Sequence, residues 1–154
     1  MITFYKQCVY NIKKIKMNRV YSKVNKDTLL LTLIRIKDVT DSRIDLSPVE
    51  ELLQVSVKKL PKDTSFKPHK HNKLVRVTDT TQEAWVFLSG KVLAKFYDLD
   101  DSLILETEMK VGDCVVVFQA GHSFEVLEQD TIIYEFKNGP YYGIEADKTF
   151  IKDI

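Results

Sequence analysis

The stretch EAWVFLSGKVLAKFYDLDDSLILETEMKVGDCVVVF, residues 83–118, decides the fold class. Short apolar runs alternate with turn residues: Ala84–Leu88 then Ser89-Gly90, Lys91–Tyr97 then Asp98–Asp101, Ser102–Glu108 then Val111-Gly112-Asp113, and finally Cys114–Phe118. β-Branched and aromatic residues fill the runs, while Gly, Asp and Ser fill the breaks, as strands joined by tight turns require. The rhythm continues through the Ala120-Gly121 turn into Phe124–Leu127 and Thr131–Phe136. Upstream it takes in Leu29–Ile36 (LLLTLIRI) and the alternating Leu53–Lys59 (LQVSVKK), with Ser47–Glu51 (SPVEE) as a turn or single helical turn and Pro61-Lys62-Asp63 as a turn. Helical periodicity is nearly absent, and there is no room for crossover helices. The spacing predicts an all-β domain of antiparallel strands that folds on itself as a sandwich or barrel to hide its edges.

The composition sets the frame for that domain. A chain of 154 residues, 44% hydrophobic and 29% charged, has room for one domain with a real core. No apolar run approaches a membrane span, and Cys8 and Cys114 alone build no disulfide scaffold, so a cytoplasmic protein of a reducing compartment is expected. The formal charge of +1 hides an asymmetry. Residues 1–26 carry seven bases and no acid, and residues 27–154 carry sixteen bases against twenty-two acids. Residues 1–26 therefore read as a basic extension, disordered or pairing with a sheet edge, and residues 27–154 as the single domain. An acidic domain is a poor match for nucleic acid. Translation starting at Met17 instead of Met1 is compatible with the same pattern.

Only 3 histidines occur, and all fall at ends or turns of the strand series: His69 and His71 in FKPHKH, His122 in AGHSF. Alternation along a strand puts His69 and His71 on one side, about 7 Å apart, a workable bite for one metal ion. Glu83 shares parity with Trp85 and Phe87, so it faces an aromatic interior, where a lone carboxylate is costly unless paired or bound to a cation. His122 would supply a fourth ligand. Three imidazoles and a carboxylate suit one divalent transition metal, whether Zn, Fe, Mn, Ni or Co.

These residues resemble the cupin superfamily. His69-x-His71, with Glu83 followed by Gly90, is similar to the first cupin motif, and Gly112-Asp113 followed by Gly121-His122 is similar to the second. Eleven residues separate His71 from Glu83 where the family has three or four, and Phe118-Gln119-Ala120 replaces its usual proline turn. FKPHKH, EAWVFLSG, FYDLDD and the tail EFKNGPYYGIEADKTFI look like small single-domain cupins of bacterial surface-polysaccharide gene clusters. The resemblance implies a jelly-roll β-barrel with short terminal extensions that holds a metal through His69, His71, Glu83 and His122. It also implies a sugar or sugar nucleotide as ligand, with isomerase- or epimerase-like chemistry. A non-catalytic ligand-binding or regulatory cupin, or an Fe(II)-dependent dioxygenase, are the other readings.

Beyond the histidines, Trp85 and Phe87 either line the barrel mouth or fill the core, and Arg76 either clamps an anionic group or is a solvated surface base. Tyr134, Glu135 and Tyr141 are the candidates for acid or base, and the tyrosines near Gly139-Pro140 suit sugar stacking or a dimer interface equally. Cys114 reads as a small core residue, and Asp98–Asp101 as a solvated hairpin tip. The apolar Leu29–Ile36 reads as an edge strand that needs covering, so a homodimer joined at these edges is expected.

Overall fold

A computed structural model describes residues 17–152. Among the described residues the architecture is all-β and antiparallel, with one 3-10 turn at Ile36–Asp38 and one four-residue α-helix, α1 (Ile144–Asp147). Five strands, β1 (Met17–Tyr21), β2 (Leu29–Ile34), β5 (Glu83–Ser89), β8 (Cys114–Val117) and β10 (Ile132–Lys137), form a sheet in the order β1-β2-β8-β5-β10. A second sheet has the order β7-β6-β9, from β6 (Lys91–Tyr97), β7 (Leu103–Lys110) and β9 (Gly121–Val126). A small hairpin pairs β3 (Arg43–Asp45) with β4 (Ser56–Lys58). No helix among the described residues is long and apolar enough to cross a membrane.

Parity explains how these layers stack. Leu31, Leu33, Trp85, Phe87, Val115 and Val117 of the five-stranded sheet meet Val92, Ala94, Phe96 and Met109 of the three-stranded sheet in one buried cluster. Ala84, Cys114 and Val116 point the other way and pack, with Phe118 and Ile34, against Ile44 and Leu46 in a second cluster. The uninterrupted CVVV of β8 is thus a central strand buried on both faces, which is why it lacks the polar alternation of a half-exposed strand. Burial of the Cys114 thiol, reinforced by neighbouring Asp113, pushes its pKa up to about 12.

The turns expected from the sequence mostly carry the chain from one sheet to the other. β5 and β6 belong to different sheets, so Gly90 is a corner rather than a hairpin loop. Its φ of +71° and the collision that any Cβ there would make with Thr131 require glycine. Gly112, at φ +80°, makes the return crossing and packs against Ile36. Asp98–Asp101 does form the β6–β7 hairpin, but Asp98 is not a solvated tip residue. It is buried, and its Oδ2 accepts the Lys23 backbone N–H at 2.7 Å, which ties residues after β1 to the far end of β6.

Other expectations need correction. Leu29–Ile34 is no edge strand: β2 is buried throughout and lies between β1 and β8. Its apolar character reflects an interior position, so it offers no surface for a dimer. Met17–Tyr21, from the basic segment, forms the sheet edge beside it, and residues 1–16 of that extension, including Cys8, lie outside the described residues. The expected Leu53–Lys59 strand shortens to Ser56–Lys58, because the backbone near Val55 and Leu53 bonds to Leu46 and Ser47 instead. FKPHKH is not a strand but part of an exposed segment, residues 58–79.

One polar contact locks the crossings together. Arg35, just after β2, places Nη1 2.6 Å from Asp113 Oδ2 and donates to the Glu108 carbonyl, while Nη2 donates to Thr107 Oγ1 at 2.7 Å. Asp113 is buried and also accepts the Lys110 N–H. Removing Asp113 leaves the partly buried Arg35 without its carboxylate and the Lys110 N–H without its acceptor. Asp113→Ala is expected to cost about 3 kcal/mol in urea unfolding, with the midpoint lowered and the slope unchanged. In a Cys8→Ser background, Cys114 is expected to resist a thiol reagent at pH 8 until the protein is denatured; fast labelling of the native protein would contradict its burial.

Candidate functional site

A cavity of about 690 Å³ opens where the first residues of β5 and β9 meet the C-terminal tail. Glu83 and Trp85 contribute one wall, Gly121, His122 and Phe124 another, and Lys148, Phe150 and Ile151 of the tail a third. Thr81 Oγ1 donates to Asp147 Oδ1 at 2.9 Å, and Ile151 packs on Gly121, so the tail is held at both ends of this wall.

Glu83 and His122 form the chemical centre. Register explains their meeting: β5 brings Glu83 to the inner face with Trp85, and β9 sets His122 opposite Phe96, on the inner face of the other sheet. Glu83 is nearly inaccessible to solvent, and its Oε2 lies 3.2 Å from His122 Nε2. The other ring nitrogen, Nδ1, lies 3.3 Å from the Ala120 carbonyl, which can only accept. Nδ1 is therefore the donor in that contact, which leaves Nε2 to face the Glu83 carboxyl. Lys137 Nζ stands 3.9 Å from Glu83 Oε1 and 4.6 Å above the Tyr141 ring. The His122 hydrogen bond, helped by the charges of His122, Lys148 and Lys137, holds the Glu83 carboxyl below its usual range against the opposing effect of burial. The Trp85 ring meets the His122 ring edge-on at 5.0 Å, and its buried Nε1 has no hydrogen-bond partner among the described residues.

The structure sorts the sequence candidates clearly. It brings Glu83, His122, Trp85 and Glu135 to the cavity. Phe87 packs in the core between the sheets and does not line the cavity. Tyr134 projects from the opposite face of β10, more than half exposed, and Tyr141 contacts the site only through Lys137. Arg76, His69 and His71 lie on the exposed segment. The two histidine rings are neighbours, with centroids 5.5 Å apart, but they are not at the Glu83–His122 pair. Sequence reading missed Lys95, Tyr97, Lys137 and the tail residues Lys148 and Phe150. Only Lys137 carried a usable signal, since it shares parity with Glu135 on β10; the tail residues reach the site through a turn that no periodicity encodes.

Comparison with known proteins finds no matching family model, and no curated protein or solved structure matches the chain. The metal expectation is therefore tested on geometry alone. Two donors sharing an ion with bonds of about 2.0–2.2 Å stand roughly 3 Å apart, and the Glu83–His122 separation of 3.2 Å fits that spacing. Among the described residues, however, no group of three or more His, Cys, Asp or Glu converges. Of the four expected ligands, Glu83 and His122 stand together, and His69 and His71 stand apart from them.

Because the folded state binds the Glu83 proton less tightly than the unfolded chain does, the unfolded state takes up more protons on acidification. The pair's stabilisation is complete above the usual carboxylate range, near pH 4.3, and fades as pH falls through the lower folded value. Glu83→Gln is expected to flatten the acid side of the melting-temperature profile between about pH 5 and 3; an unchanged profile would show that the pair does not stabilise the fold.

Proposed function

We propose that this chain is a cupin-like protein that binds a sugar or sugar nucleotide in the Glu83–His122 cavity and catalyses an isomerisation or epimerisation in polysaccharide biosynthesis. The observation that carries this reading is a buried carboxylate hydrogen-bonded to an imidazole on the wall of a cavity of small-molecule size. Such a pair can remove a proton beside a carbonyl and return it at a neighbouring atom, which is the elementary event of both reactions. Both ring nitrogens of His122 are engaged, Nδ1 by the Ala120 carbonyl and Nε2 by Glu83 Oε2, so Glu83 is the group placed to exchange the proton with substrate, and His122 orients the carboxylate and balances its charge.

The remaining walls suit the same class of ligand. Trp85, Tyr97 and Phe124 offer ring faces and edges for the apolar side of a sugar, and Lys95, Lys148 and Lys152 offer cations for phosphate groups. Glu135, on the same inward parity as Lys137, is the second acid–base candidate in reach. A divalent transition ion, when bound, would polarise a carbonyl or hydroxyl; Glu83 and His122 would hold it in place of the hydrogen bond between them, with His69 and His71 completing the set, and Glu135 would then be the acid–base group. The homodimer and the cytoplasmic setting belong to the same proposal.

The test is titration calorimetry of the full chain with a panel of nucleoside diphosphate sugars, with and without chelator, followed by NMR of the mixtures. Saturable binding and conversion to an isomer are expected. Glu83→Gln should cut turnover at least a hundredfold, while Phe87→Leu, a core change, should leave the pH profile of turnover unaltered. Binding without conversion would favour a regulatory module, oxygen-dependent product would favour a dioxygenase, and no saturable binding of any member would overturn the reading.

A further inference from the structure

Residues 58–79 form an arm in which every residue is exposed. Its apolar side chains are not incidental: Phe66 is 61% exposed, Leu74 68%, Val75 93% and Val77 90%. Between residues 65 and 77 the hydrogen bonding among the described residues consists of His69 Nδ1 to the Lys67 carbonyl, inside the arm itself. An isolated chain gains nothing by holding such a segment in water, so an apolar arm of this kind implies a surface that receives it.

The body of the protein offers that surface. Among the described residues, β9 pairs with β6 alone, leaving one edge of backbone donors and acceptors open. Along it Phe124, Val126 and Leu127, which would be covered in a completed sheet, are 42%, 54% and 44% exposed. Charge matches as well. Residues 66–77 carry Lys67, Lys70, Lys73 and Arg76 with no acid, whereas residues 121–131 carry Glu125, Glu128 and Asp130 with no Lys or Arg. The arm is anchored at its start, where the Lys59 N–H donates to the Ser42 carbonyl. Among the described residues its stretch 65–77 makes no hydrogen bond to β9 or to the rest of its own chain, which points to another copy as the owner of the receiving edge.

We propose that two copies of this chain exchange arms, each arm adding an antiparallel strand to the free edge of β9 in the partner and completing the partner's cavity. Every strand pair in the fold is antiparallel, and pairing His71 with His122 sets His69 beside Phe124 on the same inward face. Phe66 then covers Leu127, and Leu74, Val75 and Val77 run past Gly121 over the cavity wall formed by residues 117–121. The half ligand set of one copy becomes a whole one in trans, with Glu83 and His122 from the body and two imidazoles from the arm. The completed ligand set rests on the metal reading proposed above; the arm exchange does not.

The experiment separates the two. In a Cys8→Ser background, a tagged copy carrying Lys70→Cys is mixed, after unfolding and refolding together, with an untagged copy carrying Ser123→Cys or, for a shifted register, Glu125→Cys. Mild oxidation is expected to give a mixed disulfide between the copies, and sedimentation of the parent protein should give twice the mass of the chain. Leu74→Asp with Val75→Asp, at positions exposed in the single chain, should convert the dimer to a folded monomer. A monomeric parent protein, a dimer indifferent to the aspartates, or a disulfide forming only within one chain when both cysteines are on it would overturn the exchange.

For the ligand set, a copy with His69→Ala and His71→Ala is refolded with a copy carrying Glu83→Gln and His122→Ala, and Co(II) binding is read by its absorption spectrum. Neither variant alone should bind; each mixed dimer should bind one ion, so an equimolar mixture in which half the dimers are mixed should bind one ion per four chains, a quarter of the parent stoichiometry. If the parent binds Co(II) and the mixture does not, the site is completed in cis and the proposal fails. A parent dimer with the mixed disulfide but no Co(II) would leave the exchange standing and remove only the metal reading.

Discussion

The five-stranded sheet must be covered on both faces, and most of the structure follows from that requirement. β8 contributes Val115 and Val117 to one face and Cys114 and Val116 to the other. Burying one such side chain is worth about 1.5–3 kcal/mol, so exposing either face would remove much of the net stability of a domain this size. The three-stranded sheet covers one face, and the β3–β4 hairpin with Leu46, Leu53 and Val55 covers the other. To build both layers from one short chain, the polypeptide crosses repeatedly between sheets, at Gly90, at Gly112 and after Phe118. The Arg35–Asp113 contact and the Lys23–Asp98 hydrogen bond satisfy the polar groups that these crossings bury.

The site is a product of the same crossings. β5 and β9 lie in different sheets, yet the turn that leads from β8 into β9 returns the chain beside the start of β5, bringing His122 to Glu83. A carboxylate that is nearly inaccessible to solvent persists there because an imidazole and lysine charges surround it, and the carbonyl of Ala120 fixes which imidazole nitrogen faces it. The contact that lets the fold tolerate Glu83 is also the one on which the proposed proton transfer rests.

The arm shows the opposite behaviour. Its residues have a strand-like composition, but a strand forms only where a neighbour supplies hydrogen bonds and an apolar face. Among the described residues of one copy neither is present for residues 65–77, and β9 keeps an open edge. Two unfinished features with complementary charge and hydrophobicity in one molecule are the physical reason for expecting them to meet between molecules.

Short apolar runs between turn residues made the all-β class, most strand positions, the buried parity of Glu83, Trp85 and Phe87, and the importance of Gly90 and Gly112 legible from the amino-acid order, because these depend on alternation and on local backbone freedom. The pairing of Glu83 with His122 was half legible: their residue types stood out, but their contact depends on which strands share an interior. β3 was invisible, since only Ile44 of its three residues is buried. The apolar run Leu29–Ile34 told of burial without telling whether an edge or a centre was meant, and His69-x-His71 carried a strand's spacing without a strand's neighbour. Local order thus determined which residues want to be inside, whereas tertiary structure alone decided what they face, because packing partners are chosen by long-range register between sheets that no local window contains.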